Sequence, residues 1–352
     1  MNKERSRQFM QKVVGDVGTA MAAALVFVGD HAGLFEAMTG AGPLSATDLV
    51  RRTGLHSRYV EEWLSAMVCA GYIEHDSARN QFELPEEHAM FLSNRSSEYY
   101  LGGMFASVLA AVTIAPRLVA AIERGEGIAF PEFGENLPLA FEGMNRAVYE
   151  NRLVQSWLPA MPEVVRRLHV GGRAIDIGCG TGVVPVILAK AFPKAHIEGL
   201  DLDAKSIEIA RHHAREAAVA QRVHFIHAPA NALAGLGTYD LITTFDVVHD
   251  LPDPRGVLVL IRSALNEGGS YLMVEPKMDD RLERNRENPF SLMLYSISCL
   301  HCVPQSLAQG GPGLGACWGP SQARRLAAEA GFSHFDVLPI HSPALAFYEL
   351  RA

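Results

Sequence analysis

Cysteine is scarce in this chain: Cys69, Cys179, Cys299, Cys302 and Cys317 are the only five among 352 residues. A sparse, odd-numbered set in a long chain excludes a disulfide framework and suits reduced thiols in the cytosol. Charge is modest too, at 20% of residues, and the net charge of −8 disfavours a generic nucleic-acid binder. There is no internal repeat and no low-complexity tract, so a composition of 49% apolar residues reads as ordinary globular protein rather than disordered, collagen-like or coiled-coil. The opening MNKERSRQFMQKVVGD lacks the basic-then-apolar order of a secretory signal. Long apolar runs are also lacking. Residues 21–28 and 104–116 fall short of the ~20 residues that cross a bilayer, and both read as buried helices.

What is present divides the chain into three by pattern. Residues 1–95 read as helices ending in a short hairpin, 96–165 as helical and linking, and 166–352 as alternating strands and helices, the pattern of a parallel α/β sheet. In the first part, Ser45 with Asp48 three residues later has the form of a capping box, and Gly54 ends that helix. A second helix carries Val60, Trp63, Leu64, Met67 and Val68 on one face. YIEH, the turn DSARN and QFEL then form a wing. A winged helix raises DNA binding, but residues 1–95 hold nine basic and twelve acidic side chains, and Arg58 on the would-be recognition helix sits beside Glu61 and Glu62. DNA is a dense line of negative charge, so this domain reads as a scaffold or dimerisation domain.

From residue 173, strand RAIDI runs into Gly178-Cys179-Gly180-Thr181-Gly182 and an apolar helix. Glycines there allow a tight turn and bring backbone N–H groups to a ligand at the helix N-terminus. The dinucleotide fingerprint would need glycine where Val183 stands, and no Gly-Lys-Ser/Thr follows, so neither a dinucleotide nor an NTP fits. Asp176 before the turn would repel a pyrophosphate. Asp201, 19 residues beyond Gly182 at the end of HIEGLD, is placed to accept both hydroxyls of a ribose. A nucleoside without phosphates that carries positive charge meets all of these conditions, and S-adenosylmethionine is such a molecule.

AIDIGCGTG, GLDLD, YDLITTFDVVHDL and GGSYLMVEP together resemble the successive motifs of class I S-adenosylmethionine-dependent methyltransferases, over about residues 170–275. With the winged helix, the whole chain resembles bacterial winged-helix methyltransferases and dimeric small-molecule O-methyltransferases. The resemblance implies a Rossmann-like sheet behind a winged-helix dimerisation domain. It implies that Asp176, Gly178, Gly180 and Gly182 surround the methionine part of the cofactor and that Asp201 takes the ribose. It places Leu202 against adenine, Ala230 and Asn231 along the adenine edge, and Phe245 near the methionine end. Pro229 stands where many relatives carry an acid for the adenine amine.

Methyl transfer to a hydroxyl needs alignment and a base. His249, nine residues after Asp240 in DVVHDL, follows the fourth strand, and Glu275 ending the next strand is placed to fix its tautomer. In plant-type O-methyltransferases the aligned motif carries the base, whereas other class I enzymes use a histidine here for binding or structure. Asp253 with Pro254 reads as a helix start. Tyr149, Trp157, Met144 and Phe141 read first as core, and Tyr149 and Met144 also as substrate-wall candidates. Segment 291–319 contains Cys299, His301, Cys302 and Cys317, whose spacing does not match structural zinc sites, so no metal is expected; His301 and Cys302 are substrate-pocket candidates, and GGPGLG a lid hinge. The expected protein is a cytosolic homodimer that methylates a small molecule, with no nucleic-acid or membrane partner. N-, S- or C-methylation, arsenite included, and a non-catalytic cofactor-binding regulator remain open.

Overall fold

The computed structural model describes residues 1–134 and 136–352. It resolves into two compact units, so the linking stretch 96–165 does not stand apart: Met1–Leu109 with Gly143–Val148 form one, Ala110–Glu142 with Tyr149–Ala352 the other.

The first unit opens with helix Lys3–His31, capped by Asn2, whose side chain accepts from the Arg5 N–H. Helix Ala46–Thr53 starts at the capping box, where Asp48 N–H donates to Ser45 Oγ at 3.1 Å and Ser45 N–H to the Asp48 carboxylate at 3.1 Å; it ends at Gly54, φ 71°. Helix Ser57–Cys69 buries Val60, Trp63, Leu64 and Met67, each contributing about 1.5–3 kcal/mol by leaving water. The wing is β1 (Glu74–Asp76) paired antiparallel with β2 (Gln81–Glu83). Arg58 ion-pairs with Glu61 and Glu62 of its own helix, which removes the one exposed cation a recognition helix would offer there.

The expectation that residues 21–28 are buried fails. Only Val26 is, while Met21 and Val28 are exposed, as are Phe9, Met10, Val13, Val14 and Val17 further up the helix. The apolar run belongs to a 29-residue helix with an 18-residue window of mean hydropathy 1.5, long and apolar enough to cross a membrane by length and composition. Its C-terminal turns pack on Trp63, whose indole N–H donates to the Leu25 carbonyl at 2.8 Å, while residues 1–21 are exposed throughout. Residues 104–116 are likewise only partly buried, split between helices Gly102–Val112 and Ala115–Arg124 at a bend of 49°.

The second unit is built on β3 (Arg173–Ile177), β4 (His196–Asp201), β5 (Val223–His227), β6 (Tyr239–Phe245), β7 (Leu265–Pro276), β8 (His334–Val337) and β9 (Leu345–Arg351) in one sheet of order β5-β4-β3-β6-β7-β9-β8. β3 to β7 run parallel and β9 antiparallel to both neighbours. Parallel strands covered on both faces need near-continuous apolar sequence, and β3 is buried from Ala174 through Ile177. The chain winds outward from β3 to β5, then restarts at β6 on the other side. That reversal opens a crevice at the C-terminal ends of β3 and β6, where ligands of such sheets bind.

Candidate functional site

The glycine turn leaves the C-terminal end of β3. Gly178, Gly180 and Gly182 all have positive φ (69°, 50° and 79°). A Cβ on Gly178 would meet the Val247 side chain at 2.5 Å, and one on Gly182 would meet Ala210 at 2.7 Å, so close packing as well as backbone conformation excludes larger residues. At Gly180 a Cβ would meet nothing within 4 Å: the backbone there faces open space. The turn is tied to β4 by Gly178 N–H donating to the Leu200 carbonyl at 2.7 Å. Asp201 completes the tie, accepting from Gly180 N–H at 2.7 Å and from Asp203 N–H at 2.8 Å. Each carboxylate oxygen keeps a lone pair for a ligand hydroxyl. Burial raises the Asp201 carboxyl against those two backbone bonds.

Asp176 is buried beneath the turn with one hydrogen bond, from Thr243 Oγ1 at 2.6 Å, and burial pushes its carboxyl to about 8. Leu202 is exposed, its carbonyl 2.9 Å from His227 Nε2. Ala230 begins the 3-10 turn Ala230–Gly235 behind Pro229, and Asn231 is exposed on it. At the end of β6, Phe245 lies among aromatic rings: Tyr149 at 5.1 Å between centroids and Trp157 at 6.2 Å, with Trp157 also 4.8 Å from Phe347. Tyr149 is buried, and its hydroxyl is raised by burial and then by the charges of Asp246 and Asp176.

His249 sits in the one-turn 3-10 helix Val248–Asp250 just after β6, with its side chain buried. Its Nδ1 is 2.5 Å from Glu275 Oε2, on the adjacent strand β7. Glu275, itself buried, also accepts from Val248 N–H at 2.9 Å and from the Trp318 indole N–H at 3.1 Å. A carboxylate anchored by three donors holds the ring in one orientation with Nε2 turned away from it. Burial works against charging His249, but Glu275 and then Asp250 outweigh it and raise the imidazole well above its usual value.

Two acids given no role from sequence, Asp246 and the Asp250 that flanks His249, complete the cluster. Asp246 has φ 56°, an uncommon conformation for a residue with a side chain, and burial pushes its carboxyl to about 7. Burial pushes Asp250 to about 6. Among the described residues, Asp246 Oδ1 and Asp250 Oδ1 are buried without a hydrogen-bond partner. The sequence signal was only their place in FDVVHD, directly after a strand that feeds the crevice.

Of the segment 291–319, Cys302 is buried beside His249 with its thiol pushed up to about 12 by burial, while Cys299 is exposed. His301 is buried with its ring against Phe133 (4.6 Å), Phe141 (5.0 Å) and Phe130 (5.9 Å), and burial lowers it to about 3, so it is neutral near pH 7. Met144 belongs to the first unit, where its Sδ is 3.8 Å from Ser107 Oγ. Asp253 caps helix Pro254–Ser263, accepting from Gly256 N–H at 2.9 Å.

Comparison with known proteins bears on both units. Residues 168–331 match the methyltransferase domain, and residues 20–94 the Rv2258c-like winged HTH domain. A ubiquinone biosynthesis O-methyltransferase of Psychrobacter arcticus is 25% identical over 173 residues, 49% of this chain and 63% of that protein's length. One of Aromatoleum aromaticum is 27% identical over 183 residues, 51% of this chain and 72% of that protein. The crystal structure of human N-acetylserotonin methyltransferase in complex with SAM superposes with a TM-score of 0.69, covering 98% of this chain and 97% of that one at 17% identity, which shows a shared fold. The chain therefore joins a Rv2258c-like winged HTH domain to a methyltransferase domain of Rossmann-like fold.

Proposed function

We propose that this protein transfers a methyl group from S-adenosylmethionine to a hydroxyl of a small molecule. The crevice suits that cofactor. Asp176 and Asp246 are buried carboxylates that no Lys or Arg pairs among the described residues, a setting that favours a cationic ligand and repels a phosphate. Open space at Gly180 admits a ligand against the backbone, and Asp201 retains acceptor capacity at the end of β4 for ribose hydroxyls. Gly178, Gly182, Leu202, Ala230, Asn231 and Phe245 would line the same cofactor. When bound, S-adenosylmethionine supplies a methyl group on a positively charged sulfur.

His249 provides the base. Its Nδ1–H donates to Glu275, which fixes the tautomer; the raised imidazole must first release its Nε2 proton, and that lone pair then takes the acceptor's proton. The imidazolium that forms is held between Glu275 and Asp250, whose Oδ1 lies 3.5 Å from Nε2. Glu275 acts as a positioning residue. Tyr149, Trp157 and Phe245 pack into an aromatic cluster that suits an aromatic acceptor beside it, and His301 and Cys302 would line the acceptor from segment 291–319. The single observation that carries this reading is the 2.5 Å His249–Glu275 pair on the same sheet edge as the glycine turn.

The domain reading follows: 1–95 for dimerisation, 96–165 for pocket helices and 166–352 for cofactor and chemistry. The exposed stripe Phe9, Met10, Val13, Val14, Val17 and Met21 on helix Lys3–His31 supports a homodimer, because a second copy would cover it. Five free cysteines suit a cytosolic protein. The test is to incubate the full chain with S-adenosylmethionine and a panel of small phenols and alcohols, and to follow gain of one methyl by mass spectrometry. A product methylated on oxygen is expected. Methylation only on nitrogen, sulfur or carbon, or cofactor binding without turnover on any acceptor, would overturn it.

A further inference from the structure

The Cys-x-His-Cys run does not close on itself. Cys299 is exposed and His301 turns into a cage of phenylalanines. Cys302 instead approaches residues from the other side of the site. We propose that His249 Nε2, Asp250 Oδ1 and Cys302 Sγ form a binding site for a soft divalent cation of the zinc type.

One ligand atom from each of these three residues lies within 4.8 Å of the other two. His249 Nε2 and Asp250 Oδ1 are 3.5 Å apart, too long for a hydrogen bond. That separation matches a shared tetrahedral zinc, which holds nitrogen and oxygen ligands at about 2.0–2.2 Å and so about 3.4 Å from each other. Asp250 Oδ1 is buried and has no hydrogen-bond partner, as a coordinating oxygen awaiting its cation would be. The other ring nitrogen of His249 is held by Glu275, itself fixed by Val248 N–H and Trp318 Nε1. A carboxylate behind a ligating imidazole is the arrangement that orients metal-bound histidines. Two carboxylates, Glu275 at 2.5 Å from Nδ1 and Asp250 at 3.5 Å from Nε2, flank the imidazole, an acidic surrounding that suits a cation. On binding, a metal–sulfur bond forms at Cys302 and the thiol proton leaves to water. Three protein ligands leave a fourth position open to water or another small ligand.

The site has a consequence that rests on the proposed methyl transfer. A metal on Nε2 occupies the lone pair that takes the acceptor's proton, so metal uptake and base catalysis exclude each other. Binding itself is measured without substrate, so its failure is separable from a failure of the methyl-transfer reading.

The experiment titrates metal-free full-length protein with Co²⁺, then with Zn²⁺. A near-ultraviolet thiolate-to-cobalt charge-transfer band is expected, saturating at one equivalent and lost when Zn²⁺ displaces cobalt. Cys302→Ser should abolish the band, whereas Cys299→Ser and Cys317→Ser should keep it. Glu275→Gln should weaken Zn²⁺ binding by about 10–100-fold. No band in the native protein, or a band that survives Cys302→Ser, overturns the proposal. Should circular dichroism show Cys302→Ser unfolded, His249→Ala decides: a Zn²⁺ affinity reduced at least tenfold supports the site, and an unchanged affinity overturns it.

Discussion

Asp176→Asn separates the electrostatics of the cofactor crevice from its shape. Asparagine is nearly isosteric and can still accept the Thr243 hydroxyl bond, so packing is preserved while ionisation is lost. In the native protein, burial raises the Asp176 carboxyl from 3.8 to about 8. Because the folded-state value lies above the unfolded one, the group's contribution to stability is fully present below pH 3.8 and is lost as pH rises through 8. At pH 7 the unfolded chain has released this proton and the folded chain has kept it. At about 1.4 kcal/mol per unit over the three units from 3.8 to 7, the cost to the native protein is on the order of 4 kcal/mol. Urea denaturation from pH 5 to 8 reads this directly. The difference in stability between variant and native protein should shift in favour of Asp176→Asn by roughly 1.4 kcal/mol per pH unit up to about pH 7 and level off as pH passes through 8. Asp246, also raised by burial, is common to both proteins and cancels in the difference, while Asp201, whose charge helps raise Asp176, leaves only a small residual. The variant should also bind S-adenosylmethionine at least tenfold more weakly, since the cation can draw off the Asp176 proton and pair with the carboxylate, which asparagine cannot provide. Parallel stability curves across that pH range would refute the reasoning.

Three further outcomes follow from the same geometry. Asp201→Ala removes the acceptor for Gly180 N–H and for a ribose, each charge-assisted bond worth about 1.5–3 kcal/mol, so calorimetry should show cofactor affinity falling at least tenfold. Glu275→Gln lets the amide donate to His249 Nδ1 and moves the imidazole proton to Nε2, so kcat should fall about 10²–10⁴-fold with KM for S-adenosylmethionine within threefold; an undiminished kcat would remove Glu275 from the account. Val17→Glu with Met21→Glu places charge in the exposed apolar stripe and should turn the proposed dimer into a folded monomer by light scattering; a native protein already monomeric at micromolar concentration would contradict the homodimer.

Much of the cofactor domain was legible because its physics is local. Buried parallel strands need unbroken apolar sequence, and a turn of left-handed glycines needs glycine, so RAIDI-GCGTG announces both strand and crevice. His249 and Glu275 were legible for a related reason: each falls at the C-terminal edge of a strand, and adjacent parallel strands bring such edges together. What was not legible depends on long-range packing. Trp318 reaches Glu275 across 43 residues of chain, and no pattern near either residue shows it. Asp246 looks like any loop acid until its positive φ and bare Oδ1 are seen. The apolar run at 21–28 suggested burial, but hydrophobicity shows that a surface needs covering and not whether its own domain supplies the cover; only Val26 found it. Within the cysteine–histidine run, sequence spacing could not show which thiol faces inward: along one π-helical turn Cys299 is exposed and Cys302 buried.

The central claim is that His249, oriented by Glu275, takes the proton of a hydroxyl acceptor during methyl transfer. The most direct measurement compares native protein and His249→Ala with methyl-labelled S-adenosylmethionine and an oxygen acceptor, following label transfer in single turnover and cofactor affinity by calorimetry. The account predicts label on oxygen, a rate lower by about 10²–10⁴-fold in the variant, and nearly unchanged cofactor affinity. A variant as fast as the native protein, or a loss accounted for entirely by weaker cofactor binding, would contradict it.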